Sequence, residues 1–520
     1  MQKRRRALQR KSILLVAFVG LFTSVAVAVQ DDAAEADGAY QRLYEFLAGY
    51  LARDLELQRL TLTAQSKQLA LDASKISNGI ALSLSTGTIT VRSTGDGMRV
   101  SFEPQATLSL PLQNDTTVSA DVPVTVVQGE RSLSNAKLSV TTGIITGAVK
   151  SKRLAVLQAE RAALEAERAA QDRALNAEKA FYSELKTLYG YAITAITERN
   201  DLLNASDSFR TLVIKEYSKE SAQYRQSFLN LQGAVYDAVQ AQRDLERGAA
   251  NLARKCGISY PQPLTTETST FDEIDLAFRA AMDFLPFAVP EVDGIDVLSF
   301  PETAYTATES ALWEKQLAEL KRDADYALTL KATGTYTFND SSVNSDTVGA
   351  GLSLDWNGLT ATAGVAVPTG AKLLDSSDAS QEKQPVYTLS LGWTPNTRKQ
   401  ARISREQDAI DEQLEDIAIQ SAADNYKTAV FDKQANLRDL QWSRHFYSEQ
   451  LDMYTQLERD MKQWLDEGIV TRAAYFDTRN NRDKAQLNLL INAANFIIYN
   501  NETTLLFRID SAQGVSDDNK

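Results

Sequence analysis

From Asn396 to Glu467 the chain contains neither glycine nor proline, and from Ala148 to Lys219 it contains only Gly190. Two unbroken runs of about seventy residues read as helices on the order of 105 Å long, at about 1.5 Å of rise per residue. Ordinary globular helices have roughly a dozen residues. Apolar residues recur at steps of three and four, at Leu154, Leu157 and Leu164, then at Phe181, Leu185, Leu188, Ala192 and Ile196. The stripe is narrow, and Arg161, Glu165, Glu167 and Arg168 flank it. That pattern predicts coiled-coil-like packing between long helices. A water-soluble structural coiled coil fits these segments equally well.

A second kind of segment alternates with period two. From Met98 to Leu112 the even positions Met98, Val100, Phe102, Ala106, Leu108, Leu110 and Leu112 are apolar. The odd positions are Arg99, Ser101, Glu103, Gln105, Thr107 and Ser109. The alternation returns at Val118 to Val126, at Leu138, Val140 and Ile144, at Leu352 to Trp356, at Leu359 to Val367, and at Tyr387 to Trp393. Turn residues separate the runs: Gly95-Asp96-Gly97, Asn114-Asp115, Gln128-Gly129 and Asn357-Gly358. These are strands with one apolar face and one face of Ser, Thr and Gly. Such a sheet can cover a soluble core, or it can belong to a membrane barrel with its apolar side outward.

The amino terminus bears on the compartment. Lys3, Arg4, Arg5, Arg6, Arg10 and Lys11 precede an apolar run from Ile13 to Val29, and Ala26-Val27-Ala28 has the small-x-small form of a signal-peptidase site. An uncleaved anchor is the alternative, since about 17 apolar residues is the lower limit for a spanning helix. Cleavage after Ala28 removes those six positive charges, so the net charge of −13 becomes −19. An acidic exported chain lacks the basic surface that nucleic acid requires. No further long apolar stretch follows, so insertion in a membrane has to use strands. The single cysteine, Cys256, and the single histidine, His445, are expected to be packing residues. They leave little material for a zinc site or a histidine-dependent triad. The carboxylates are spread along helices with no constellation, so no enzyme and no cofactor are expected.

The pattern occurs twice. With an offset of 250, Gly147 falls on Thr397, Phe181 on Phe431, Ser221 on Thr471 and Cys256 on Leu506. Each copy holds a strand block, a helical run of about seventy residues, a break and a return run of about 37. The expected organisation is a signal peptide at 1–28, an N-terminal helix at 29–77, strands at 78–147 and a helical hairpin at 148–257. A linker rich in proline at 258–300 leads to a helix at 301–325, strands at 326–396, a second hairpin at 397–508 and a polar tail at 509–520.

This duplicated arrangement resembles the TolC-type outer membrane efflux proteins. The stretch Gly468-Ile469-Val470-Thr471, followed by Tyr475-Phe476-Asp477 and a return helix through Leu505-Leu506-Phe507, carries the resemblance most specifically. In the first copy Ser218 stands where the family has glycine, and Ser221 keeps the hydroxyl. Tyr224 and Ala474 stand where the family often has an acidic residue.

The resemblance implies a mixed α/β membrane protein: a homotrimeric outer-membrane β-barrel continued by a periplasmic α-helical barrel. It implies a passive exit duct for small molecules or proteins, working with a periplasmic adaptor protein and an inner-membrane pump, in contact with outer membrane lipid. Adaptor contact would fall at the helix turns, on Ser218, Ser221, Tyr224, Gly468, Thr471 and Tyr475. Asp460, Asp466 and Glu467 would form an acidic ring at a constriction, tied by Arg459 and Arg472. The family has two long strands per copy, whereas about four alternating runs occur in each copy here. The surplus reads either as external hairpins or as a wider barrel. An envelope coiled-coil protein or adhesin without channel activity is the alternative function.

Overall fold

The structure is a computed structural model describing residues 36–508, apart from 88, 95–96, 111–114, 128–129, 134, 146–147, 262–264, 267–269, 325–327, 339–345, 357 and 370–383. The signal peptide, the polar tail and the landmark Gly147 lie outside the described residues. The chain opens with helices α1 (Ala36–Ala52) and α2 (Leu55–Ser77). Strands β1 (Ala81–Ser85), β2 (Thr90–Thr94), β3 (Gly97–Phe102) and β4 (Gln105–Leu110) follow. Next come β5 (Thr116–Asp121), β6 (Val124–Val127), β7 (Glu130–Leu133) and β8 (Lys137–Ile145). Helices α3 (Ala148–Ile214), α4 (Ala222–Cys256), α5 (Phe271–Phe284) and α6 (Thr306–Ala324) lead to the second copy. That copy contains β9 (Leu328–Thr337), β10 (Thr347–Trp356), β11 (Leu359–Pro368), β12 (Val386–Trp393), α7 (Pro395–Asp466) and α8 (Arg472–Leu506). The offset read from sequence holds to the residue in the return helices: α4 and α8, each of 35 residues, begin and end 250 positions apart.

The chain divides into two compact units. One comprises Leu55–Leu175, Asp296–Gln434 and the residues from Thr503 on, and holds all the strands. Eight strands form a sheet in the order β1-β4-β5-β8-β9-β10-β11-β12, and four form a second sheet, β2-β3-β6-β7. The four runs read in each copy are four strands in each copy, and in the first copy each long strand is broken in two, its outer piece lying in the second sheet. A strand-breaking residue sits at every break. Gly87 has φ +63° between β1 and β2, Pro104 separates β3 from β4, Pro123 separates β5 from β6, and Asn135 has φ +50° between β7 and β8. Proline has no N–H to give to a ladder, and left-handed residues turn the chain out of the pleat. The second copy has no counterpart among the described residues: β9, β10 and β11 run ten residues each, and β12 eight. Each copy thus gives four strands to one common sheet, joined at the β8–β9 ladder from Lys137↔Thr337 to Ile145↔Leu330.

Within the same unit α3 is tied to α6 by charge. Glu309 accepts from the guanidinium groups of both Arg161 and Arg168, and Arg161 also lies over the Trp313 ring. Burial would raise the Glu309 carboxyl, but the two arginines outweigh it and hold its pKa below the ordinary value. The packed positions of α3 here are Ala163, Ala170 and Ala174, whereas Leu164 is exposed. This corrects the sequence expectation for that part of the stripe: small residues at the contact let long helices approach closely.

The other unit comprises the described residues up to Asp54 together with Asn176–Ile295 and Ala435–Glu502. Its core gathers Leu43 and Phe46 of α1, Phe181, Leu185, Tyr189, Ala192 and Ile196 of α3, Leu245, Ala249 and Leu252 of α4, Phe278 and Ala281 of α5, and Leu487 and Ala494 of α8. The segment 258–300 between the two copies contains the 14-residue helix α5, which the sequence reading did not give. A capping box starts that helix: Thr270 accepts from the Glu273 N–H, and Glu273 accepts from the Thr270 N–H. Ile274, Phe278 and Ala281 give it a buried stripe. The prolines that suggested a linker lie outside the helix, where Pro286 O accepts from the buried Tyr189 hydroxyl at 2.5 Å.

Candidate functional site

The eight-stranded sheet offers two chemically distinct faces. Its ladders carry one cross-strand row from Leu82 through Leu108, Val118, Val140, Gly334, Ala350 and Val365 to Tyr387. The parallel row Leu84, Ala106, Ala120, Leu138, Tyr336, Val348 and Val367 lies on the same face. Leu82, Leu84, Leu138, Val140, Val348, Val367, Tyr387 and Leu389 are all exposed. On the opposite face one row reads Ala81, Ser109, Thr117, Thr141, Thr333, Gly351, Gly364 and Thr388. Hydroxyls bond across that face, Ser119 to Ser139 at 2.6 Å and Thr141 to Thr333 at 3.3 Å. A face of hydroxyls and glycines backed by an exposed apolar face has the two-sided chemistry of a sheet between water and an apolar phase. Among the described residues β1 and β12 are the edges of the sheet, paired on one side only.

The second candidate comprises the two helix turns, built by the same rules with one difference. Ser221 caps α4 by accepting from the Tyr224 N–H at 3.2 Å, and Thr471 accepts from the Ala474 N–H at 3.2 Å. These caps keep the 250-residue offset. The outgoing ends do not. α7 closes with Gly468 at φ +74°, its N–H bonded to Leu465 O, and the Ile469 N–H bonded to Trp464 O. α3 closes with the same pair of bonds, Glu216 to Val213 and Tyr217 to Leu212, but with Glu216 left-handed at φ +55°. Ser218, matched to Gly468 by sequence, therefore is not the turning residue. It instead accepts at its carbonyl from the Ser221 hydroxyl at 2.7 Å. Glycine was the signal that marked the turning residue of the second turn, and its absence hid that of the first.

Ser218, Gly468 and Thr471 are exposed, while Ser221, Tyr224 and Tyr475 are half-buried. Arg459, Asp460 and Asp466 on α7, Glu467 just beyond its end and Arg472 on α8 are all exposed. Glu467 accepts from the Gln463 amide at 2.8 Å, and Arg472 lies over the Phe476 ring. Among the described residues no ion pair joins either arginine to the three acids. The carboxylate that ties this hairpin is one the sequence reading passed over. Glu458 accepts from Arg482 and from the Tyr475 hydroxyl at 3.4 Å. Burial, then the Glu458 charge, pushes the Tyr475 phenol above its usual range. Further along, Arg199 is buried against Asp275 at 2.9 Å and Asn480 at 3.2 Å, over the ring of Phe278. Its spacing resembles that of any solvated helix charge, which is why sequence did not expose it.

Cys256 is buried at the end of α4, and burial pushes its thiol up to about 12. His445 departs from expectation. It is 75% exposed and 3.3 Å from Glu449, because α7 turns that face away from the core. Among the described residues no cluster of three or more His, Cys, Asp or Glu side chains suits a metal, and no helix is long and apolar enough to cross a membrane.

Two family descriptions match the chain: the TP096X N-terminal domain over residues 46–286 and the TP096X C-terminal domain over residues 290–510. The two halves match the two TP096X domains in order. No curated protein matches the chain by sequence. Among solved structures it is similar to the CmeC outer membrane channel of Campylobacter jejuni, at 11% identity and a TM-score of 0.40, covering 90% of this chain and 85% of that one. It is similar also to the outer membrane protein VceC of Vibrio cholerae, at 11% identity and a TM-score of 0.40, covering 90% and 96%. The MtrE outer membrane channel of Neisseria gonorrhoeae, in its open state, gives 11% identity and 0.39 over 88% and 89%. These are channels of the TolC family, the family the sequence resembles.

Proposed function

We propose that this protein is an outer membrane exit duct that passively conducts small molecules or proteins delivered by a pump and its adaptor. The observation that carries the reading is the eight-stranded sheet, apolar on one face and rich in hydroxyls on the other across every strand. Its apolar side would face lipid and its polar side a water-filled passage. Three copies would close the sheet, since one copy leaves two open edges. The paired helical hairpins would continue the passage on the periplasmic side. The capped turns around Ser221 and Thr471 would meet the adaptor, and the acids Asp460, Asp466 and Glu467 would repeat around the axis at the constriction.

The test is to place a charge on each face of one strand. Leu389→Arg puts a cation on the apolar face of β12, where insertion should cost about 2–4 kcal/mol if the side chain lies at the midplane. Ser390→Arg puts it on the polar face. The reading expects the first to disappear from the outer membrane fraction, and the second to insert and to change single-channel current in planar bilayers. Equal tolerance of both, or a wild-type protein that is soluble and carries no current, would overturn it.

A further inference from the structure

The four strands of the first copy break at one level, just past the row Ser85–Gln105–Asp121–Lys137, and the break leaves a hollow of about 300 Å³. Ala106 and Ala120 form its floor, with Leu84, Pro104 and Val122 around them. Ser85, Thr86 and Gln105, all exposed, complete the lining. Residue size explains the depression. The apolar row Leu84–Ala106–Ala120–Leu138 sets two small side chains between two large ones, whereas the next row, Leu82–Leu108–Val118–Val140, is bulky throughout. On the other side the sheet changes at the prolines, and the Val122 N–H donates to the Pro104 carbonyl at 3.0 Å across the joint. Irregular strand joints at the rim of a sheet are built features rather than defects. In the second copy β9, β10 and β11 run ten residues each without such a joint.

We propose that this hollow binds one acyl chain of a membrane phospholipid. The proposal rests on the reading that the apolar face lies in lipid, and it adds a particular site on that face. Three observations select the occupant. The hollow is continuous with the exposed Leu82, Leu138 and Val140, so whatever covers that face also reaches the hollow. Its volume lies at the lower end of ligand pockets. At about 30 Å³ for a water-sized group, it accepts on the order of ten methylenes. Its level on the sheet is the third observation. The row through Ala106 and Ala120 continues to Tyr336, whose hydroxyl donates to Asp346 at 2.9 Å and whose ring lies 4.7 Å from that of Phe338. Aromatic rings in such a position mark the boundary between hydrocarbon and headgroups. A chain entering there has its ester beside Ser85, Thr86 and Gln105, whose hydroxyl and amide groups can donate to the ester carbonyl.

Apolar contact alone does not hold one lipid chain against the others, because lipid tails are as apolar as leucine. Selectivity comes from the fixed floor, which a chain fills without displacing protein atoms, and from the polar groups at the rim. One neutral hydrogen bond there is worth about fivefold in occupancy. The expected result is a preferred position for a chain, about fivefold above the rest of the apolar face, rather than a tight complex.

Photolabelling reads this preference. The full chain, extracted in detergent, is mixed with a phosphatidylcholine carrying a diazirine on one acyl chain and irradiated, and its labelled peptides are mapped by mass spectrometry. Labelling at 84–86, 104–106 and 120–122 is expected to be about five times that around Leu352 and Ala363 on the same face of β10 and β11. Ala106→Phe combined with Ala120→Phe fills the hollow and is expected to bring its labelling down to that background. Ala363→Phe, outside the hollow, is expected to leave it unchanged. Even labelling of the two regions in the wild-type chain, a general lipid coat only, would overturn the site without any variant. Labelling of the hollow that survives the double substitution, in a chain with unaltered circular dichroism, would overturn it as well. Bilayer current is read in parallel. Even labelling with current intact sinks only this site, whereas a sheet that takes no label and carries no current sinks the reading beneath it.

Discussion

Glu309 is the carboxylate shared by the Arg161 and Arg168 guanidinium groups, and replacing it tests how α3 and α6 are held. The side chains of Arg161, Arg168 and Glu309 are 10%, 17% and 19% exposed. Glu309→Gln keeps the shape and some hydrogen bonding but leaves two cations with one partner between them, since Arg161 retains Glu165 at 2.6 Å. Breaking a fully buried pair costs about 3–5 kcal/mol. The residual exposure and the remaining Glu165 contact bring the expectation to about 2–3 kcal/mol, or roughly a hundredfold in a local opening equilibrium. Hydrogen exchange of the α6 amides reads that opening directly. The dependence on pH has a definite sign. The folded-state pKa of Glu309 lies below its ordinary value, so its contribution is complete above the usual carboxylate range and drains as pH falls through the folded value. Wild type and variant should therefore differ most near neutrality and converge in acid. Unchanged α6 protection near neutrality, or a cost that persists unchanged in acid, would refute this account of the tie.

Gly468 is left-handed with no neighbour within 4 Å of an added Cβ, so Gly468→Ala should cost about 1 kcal/mol from backbone strain alone. Glu216→Gly at the matching turn should be neutral or stabilising. Chemical denaturation of both variants checks the sign, and a stabilising Gly468→Ala would contradict the turn geometry. Ser221→Ala should lose about 1 kcal/mol through its cap, measurable as fraying of the first turn of α4 by hydrogen exchange. Cys256, with its thiol raised to about 12, should resist maleimide near neutral pH until the helices open. Rapid labelling of the native protein would contradict its burial.

Periodicity exposed the parts of this fold that repeat. Helices nearly free of Gly and Pro, strands alternating at period two, and the offset linking Ser221 to Thr471 were all visible in the sequence. What escaped was what depends on neighbours distant in sequence. The breaks within the long strands of the first copy went unread, because the alternation keeps its phase through Pro104 and Pro123 and each run looked like one strand. The α5 helix was lost among prolines that flank it. At the turns the hydroxyl caps were legible, but the left-handed Glu216 was not, because that conformation is imposed by the helix end rather than advertised by the residue. Glu458 and Arg199 hold unlike helices together, and no spacing within one helix shows that.

One feature of α7 bears on how this chain reaches its folded state. Of the described residues along its 72-residue length only Ala422 and Lys433 are buried, while Phe431, Trp442 and Met453 are more than two-thirds exposed. A helix so thinly supported draws little stabilisation from its own protomer, since isolated helices in water lean on tertiary contacts. If copies of the chain cover it, the unfolding midpoint should rise with protein concentration, and a solitary copy should have a frayed α7 even when the rest is intact. Folding and association would then be a single thermodynamic event, and dilution would act on this protein as a denaturant.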